Sequence, residues 1–306
     1  MAVGSVGVIG VGRLGSDVAF MLAEGDLCDV VLYDAVAEKA SFLASDLSDT
    51  SFERVYSRRI TWASELRELT RCDVILLAAG NRPDENDTPQ DLFRANRPLI
   101  REIADAFMGS STLFVVATEP VDLVTAELAR RLHLPHSRVM GIAGVVDSFR
   151  VRYAVGQALS VNTDYIRTHV VGPHDERAHI LWEYTSINGV PIQSLTSEDR
   201  LAKLESSFTE QVKDQFRQHT GNLSRYTPSI ACFDLLRVLT RDDRRIMSVT
   251  IPWVNVLGIS GVAMSVPSVI GRFGAERVVL PELDGGVKNR LRKSADAYAS
   301  ILGEAE

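Results

Sequence analysis

The chain begins with short, uniformly apolar runs, separated by stretches in which apolar positions recur every three or four residues. Residues 6–9, 30–33, 74–79 and 113–117 read as strands. Residues 13–23, with Leu14, Val18, Met21 and Leu22 on one face, and residues 36–47 read as helices. Apolar runs with no alternation of polar positions suit a parallel sheet covered on both faces. Strands alternating with helices then imply right-handed crossovers and a doubly wound sheet. Beyond about residue 145 the rhythm lengthens. Residues 197–220 and 228–241 read as long helices, 246–257 and 269–280 as strands, and 285–302 as a polar helix. The expected architecture is α/β, with a first domain over residues 1–143 and an α+β domain over residues 144–306. No Gly/Ser-rich linker separates them, so the two halves should pack tightly.

Composition removes several classes of function. The 306 residues carry a formal net charge of −7, which offers no diffuse basic field for nucleic acid or an anionic membrane. Mean hydropathy is +0.03, and no apolar run reaches the roughly 18–20 residues needed to span a bilayer. No basic and apolar leader precedes the first strand. Cys28, Cys72 and Cys232 form no CxxC pair and no zinc spacing, so reduced thiols and no metal site are expected. Together these features predict a soluble, cytoplasmic protein that binds neither nucleic acid nor membrane.

Gly10-Val11-Gly12-Arg13-Leu14-Gly15 is a GxGxxG motif between the first strand and the first helix. The first glycine permits a tight turn and the second lets a pyrophosphate approach the backbone. The third allows close helix–strand packing. The helix N-terminus adds unpaired N–H groups and partial positive charge for phosphate. Asp34 ends the second strand, where a carboxylate accepts from ribose hydroxyls and repels a 2′-phosphate. In that context the motif predicts a Rossmann domain binding NAD rather than NADP. By itself it is also compatible with a glycine-rich turn in which Asp34 caps the next helix.

Asp147-Ser148-Phe149-Arg150 resembles the Asp-x-x-Arg of lactate/malate dehydrogenases, and Gly172-Pro173-His174-Asp175 resembles their Gly-x-His-Gly. The resemblance extends through Glu119-Pro120-Val121-Asp122, Asn188-Gly189-Val190-Pro191-Ile192 and the run 266–272, and so covers essentially the whole chain. It implies an NAD-dependent oxidoreductase acting on a small 2-oxo or 2-hydroxy acid, assembled as a homodimer or homotetramer. In such an enzyme His174 is the acid/base, because imidazole titrates near neutrality. Asp147 orients the ring, and Arg150 clamps the substrate carboxylate with a bidentate fork. Gly10, Gly12, Arg13, Leu14, Gly15, Asp34, Ala79, Gly80, Asn96 and Ala117 are the expected cofactor residues. Glu119 and Tyr226 are expected beside the substrate. From the residues alone, Asp147 also reads as a helix N-cap, Arg150 as a surface arginine and His174 as a loop histidine.

Several positions depart from the family pattern. Aligned on Ala79-Gly80 and Asn96, Pro83 and Pro89 fall where relatives carry the substrate-loop arginines. The loop holds Asp84, Glu85, Asp87 and Asp91 against Arg82, while Arg94 and Arg97 lie beyond it on a helix. Glu119 replaces the usual asparagine and Asp175 the usual glycine. Tyr226 falls where relatives have a small residue or threonine. The expected substrate is therefore neither malate nor lactate. The alternative is an NAD-binding paralogue with little or no dehydrogenase activity and a regulatory or scaffold role.

Overall fold

Strand runs rich in valine, isoleucine and leucine stack side by side because each needs cover on both faces. The computed structural model describes residues 3–54, 56–81, 87–217 and 224–303. Its parallel strands are β1 (Ser5–Ile9), β2 (Asp29–Tyr33), β3 (Ile60–Trp62), β4 (Val74–Leu77), β5 (Leu113–Val116) and β6 (Val139–Gly141). They lie in the order β3-β2-β1-β4-β5-β6. Val74 and Leu76 enter one core while Ile75 and Leu77 enter the other, which is why β4 shows no polar alternation. Helices α1 (Arg13–Glu24), α2 (Ala37–Arg54), α3 (Pro89–Phe107) and α4 (Val121–Leu132) cover the two faces. The order reverses between β1 and β4, and a crevice opens there beyond their C-terminal ends, the usual ligand position in such sheets.

The second half of the chain continues the same sheet. Helix α5 (Ala143–Leu159) leads into short strands β7 (Ile166–Arg167), β8 (Val170–Val171), β9 (His179–Ile180), β10 (Ser186–Ile187) and β11 (Val190–Pro191). Then come α6 (Glu198–Arg217), α7 (Tyr226–Arg241), β12 (Arg245–Pro252), β13 (Ala263–Gly271), β14 (Gly274–Val278) and α8 (Gly285–Gly303). Strands β12, β13 and β14 are antiparallel, and β12 joins β6 through Thr250 opposite Gly141. A separate apolar core, including Val151, Val155, Trp182, Leu201 and Phe208, ties α5 and α6 to the short strands.

Two expectations need correction here. The run 269–280 is not one strand: it is the end of β13, a turn at Arg272-Phe273, and β14. Gly274 has φ +99° and a Cβ there would strike the Ser137 carbonyl, so the reversal depends on glycine. The strand read over 246–257 stops at Pro252. Strands β3 and β6, three residues each, carry too little pattern to be read alone. Among the described residues no helix is long and apolar enough to cross a membrane. The three cysteines are buried thiols, Cys28 and Cys72 being pushed up by burial to about 12 and about 11.

Candidate active site

The crevice at the β1/β4 switch is a cleft of about 1150 Å³ running from the glycine-rich turn to His174 and α6. The three motif glycines do different jobs. Gly10 has φ +93°, and a Cβ there would collide with the backbone of Ala79. At Gly15 a Cβ would strike the Gly10 carbonyl, so α1 could not lie so close to β1. At Gly12 a Cβ would meet no atom of the described residues within 4 Å. Space at Gly12 is therefore left toward the cleft, beside the N-terminus of α1, where a pyrophosphate fits. Asp34 accepts the Val11 N–H at 3.0 Å and the Val36 N–H at 3.0 Å, so its carboxylate also fixes the turn.

Gly10, Gly12, Arg13, Leu14, Asp34, Ala79, Gly80 and Ala117 all line this cleft. Gly15 and Asn96 do not. Gly15 lies beneath the turn. Asn96, fully buried on α3, acts as a joint: its amide donates to the Glu119 carbonyl at 2.8 Å and accepts from the Asn81 N–H at 2.7 Å.

At the far end the fold assembles residues from three places in the sequence. Asp147 lies one turn into α5, so it is not the helix N-cap, which is Ile142. His174 follows β8 on a loop held to β13 by paired backbone hydrogen bonds between Gly172 and Ser265, both 2.9 Å. Asp147 Oδ2 sits 2.8 Å from His174 Nδ1, and Arg150 donates to Asp147 Oδ1 at 3.3 Å. Glu119, next to the cis peptide Glu119–Pro120, brings Oε1 to 4.0 Å from His174 Nε2. Arg150, Glu119 and His174 all face the cleft.

Burial opposes a charge on His174, but Asp147, Glu119 and Asp122 outweigh it and hold the imidazole up at about 9. Burial pushes Asp122 up to about 7 against the pull of His174. Burial also lowers Arg150, while Asp147 and Glu119 steady its charge. The cleft thus combines a protonated imidazole, a buried guanidinium and a carboxylate. It can bind a carboxylate, pass a proton and, beside a nicotinamide, support hydride transfer.

The departures from the family sort differently in space. Pro89 occupies the first position of α3, and Thr88 with Asp91 forms a capping box at its N-terminus. Asp91 therefore serves its own helix and does not face the cleft. Arg94 bonds to Asp91, and Arg97 turns toward Glu127. Asp175 points away as well, accepting from Arg177 and from Tyr298 of α8. Arg82, Pro83, Asp84 and Glu85 lie outside the described residues. Tyr226 was expected at the substrate; its ring is 72% exposed at the start of α7 and does not line the cleft. α7 begins at Tyr226, and the N-cap Arg225 and Pro228 of the first turn line the cleft instead. Arg225 is a cleft residue the sequence did not signal. It is locked bidentately to Asp17, 2.7 and 2.5 Å, across 208 positions of chain.

The sequence pattern of the lactate/malate dehydrogenase NAD binding domain matches residues 5–141, and that of the alpha/beta C-terminal domain matches residues 145–305. The chain belongs to the lactate/malate dehydrogenase family. The family's members are NAD-dependent oxidoreductases acting on CH–OH groups, and NAD is the cofactor that the cleft fits. The L-lactate dehydrogenase of Bacillus caldolyticus is 29% identical, aligned over 96% of this chain and 95% of that protein. The malate dehydrogenase of Sorangium cellulosum is 28% identical over 97% and 96%. Among solved structures, malate dehydrogenase from Aeropyrum pernix superposes with a TM-score of 0.90 at 24% identity, over 98% and 97% of the two chains. A Cryptosporidium parvum lactate dehydrogenase, solved with lactic acid and nicotinamide adenine dinucleotide, gives 0.90 at 21% identity over the full length of both. Lactate and malate enzymes match equally well, so overall likeness does not choose a substrate.

Proposed function

We propose that this dehydrogenase interconverts a 2-hydroxy acid and its 2-oxo acid whose side chain is neutral and polar or cationic, and that it favours neither malate nor lactate. Arg150 binds the carboxylate common to all such substrates through its planar fork. His174, protonated in the resting site, gives a proton to the oxo oxygen during reduction and takes the hydroxyl proton during oxidation. Asp147 fixes the ring through Nδ1 and steadies its charge. Bound NADH supplies the hydride, and bound NAD accepts it. Residues 1–143 hold the cofactor and 144–306 contribute most of the substrate-facing groups. The enzyme acts in the cytoplasm as a homodimer or homotetramer; the exposed rings of Phe20, Phe42 and Tyr226 on α1, α2 and α7 suit a second copy.

One observation carries the choice of substrate. Glu119 Oε1 stands 4.0 Å from His174 Nε2, where relatives place a neutral amide. A second carboxylate on the substrate would meet this charge in a partly desolvated space, where like charges are costly. A cationic or hydrogen-bond-donating side chain would gain from it. The test compares kcat/KM for oxaloacetate, pyruvate, a neutral polar 2-oxo acid and a cationic one, in the parent and in Glu119→Asn. The neutral polar or cationic acid should lead in the parent, and Glu119→Asn should shift the ranking toward oxaloacetate. Oxaloacetate or pyruvate as best parent substrate, or a ranking untouched by Glu119→Asn, would refute the assignment.

A further inference from the structure

We infer that the groove between α3 and α4, on the side of the chain bearing Arg97, Arg101, Arg130 and Arg131, is a second binding site, taking a small polyanion with at least two phosphate or carboxylate groups. The groove has a volume of about 470 Å³ and lies apart from the cofactor cleft, sharing no lining residue with it. That volume is within the range of small-molecule sites, roughly 300–1,000 Å³.

Its charge is the reverse of the rest of the molecule. The chain carries −7 overall, yet four arginines gather here, and the carboxylates among them are Glu127 and Asp105. Part of the cluster has an internal explanation. Arg130 and Arg131 stand in the last turn of α4, where cations suit the carbonyl end of a helix. Both also close on the fully buried Glu127, at 2.8 and 2.6 Å.

Arg97 and Arg101 have no such explanation. They are one turn apart in the interior of α3, and like charges at that spacing destabilise a helix. Arg97 approaches Glu127 only to 3.8 Å, and its buried Nε has no hydrogen-bond partner among the described residues. Arg101 is exposed and forms no ion pair among the described residues. Burial weakens the Arg97 charge, and Arg101, Arg131 and Arg130 repel it against the pull of Glu127. An anion with two charged groups relieves this repulsion and takes up the N–H groups of Arg97 and Arg101. Guanidinium forks match phosphate and carboxylate oxygens bidentately.

The test uses the NADH-saturated enzyme, so that the phosphate end of the main cleft is filled. Inorganic tripolyphosphate and, separately, citrate are titrated calorimetrically against KCl of matched ionic strength. Saturable binding at one site is expected, weakened at least threefold by Arg101→Gln and at least tenfold by Arg101→Glu. The control Lys203→Gln, which removes one positive charge from α6, should leave it unchanged, and NADH affinity should not move in any variant. Binding of tripolyphosphate alone assigns phosphate groups to the ligand, and binding of citrate alone assigns carboxylates. Failure of both anions to bind saturably overturns the site. So does equal loss in Lys203→Gln, or no loss in both Arg101 variants.

Discussion

Asp122 accepts the backbone N–H of His174 through Oδ2 at 2.7 Å, while its Oδ1 accepts the Thr250 hydroxyl at 2.7 Å. A carboxyl group on α4 thus ties the histidine loop to β12, the strand that joins the two halves of the sheet. Asp122 is almost wholly buried, and burial dominates its titration over the pull of His174.

That anchor has a thermodynamic signature. Asp122 titrates near 3.8 when unfolded and at about 7 when folded, so between these values the folded state binds the proton more tightly. Its contribution to stability is present below the unfolded value and is lost as pH rises through 7. Asp122→Asn is neutral throughout and should remove this slope. Urea unfolding at pH 4.5 and pH 7.5 checks it: the parent should lose more stability than the variant between the two. Equal losses would count against a buried, proton-binding Asp122.

For His174, held at about 9, the proton is present at neutral pH and is released above it. Reduction of the oxo acid, which consumes that proton, should fall as pH rises through about 9, and oxidation of the hydroxy acid should rise. Glu119 helps to hold the proton, so Glu119→Gln should move both limbs to lower pH. His174→Asn should reduce turnover roughly 10²–10⁴-fold while NADH affinity stays nearly unchanged. A pH limb unmoved in Glu119→Gln would separate that carboxylate from the imidazole.

Arg150 and Asp147 should fail in different ways. Arg150→Lys keeps a charge but loses the planar fork, and a charged hydrogen bond contributes about 1.5–3 kcal/mol. KM for the oxo acid should therefore rise about 10- to 100-fold, with a smaller change in kcat. Asp147→Asn should act chiefly on kcat and lower the His174 limb, since the ring loses the charge bonded to Nδ1. Steady-state constants across pH distinguish the two patterns.

The glycines of the turn offer a sharper separation. Gly12→Val places a side chain where a Cβ has no neighbour among the described residues, so thermal stability should hold while NADH affinity falls by about tenfold or more. Gly15→Ala forces a Cβ into the Gly10 carbonyl and should destabilise the fold by about 1–3 kcal/mol. Thermal midpoints and NADH titration of the two variants should show opposite profiles.

Much of this was legible in the chain itself. The apolar runs that became β1, β2, β4 and β5 are local features, and so is the glycine turn, because backbone freedom and burial on both faces leave direct marks on residue type. Asp147 and Arg150 share a helix face through their spacing, and His174 was singled out by a second motif, Gly172-Pro173-His174-Asp175. The strands of three residues and the β13–β14 reversal were not legible, because neighbouring strands and a single positive-φ glycine decide them. Tyr226 was misplaced for a related reason: alignment gave its position in the sequence but not the rotation of the helix that carries it.

The sequence by itself determined the doubly wound sheet, the dinucleotide turn and the residue types of the proposed acid/base site. Each depends on patterns spanning a few residues or on side-chain chemistry. Only the tertiary structure decided which charges meet. Arg225 finds Asp17 across the whole chain, Asp122 reaches the His174 backbone across 52 positions, and Asp175 turns to α8 rather than to the cleft. Pro89 and Asp91 belong to a helix cap, while Glu119 alone, among the described departures, stands beside the His174 imidazole. Electrostatic contacts fall off within a few ångströms and depend on direction, and neither distance nor direction is written in one dimension.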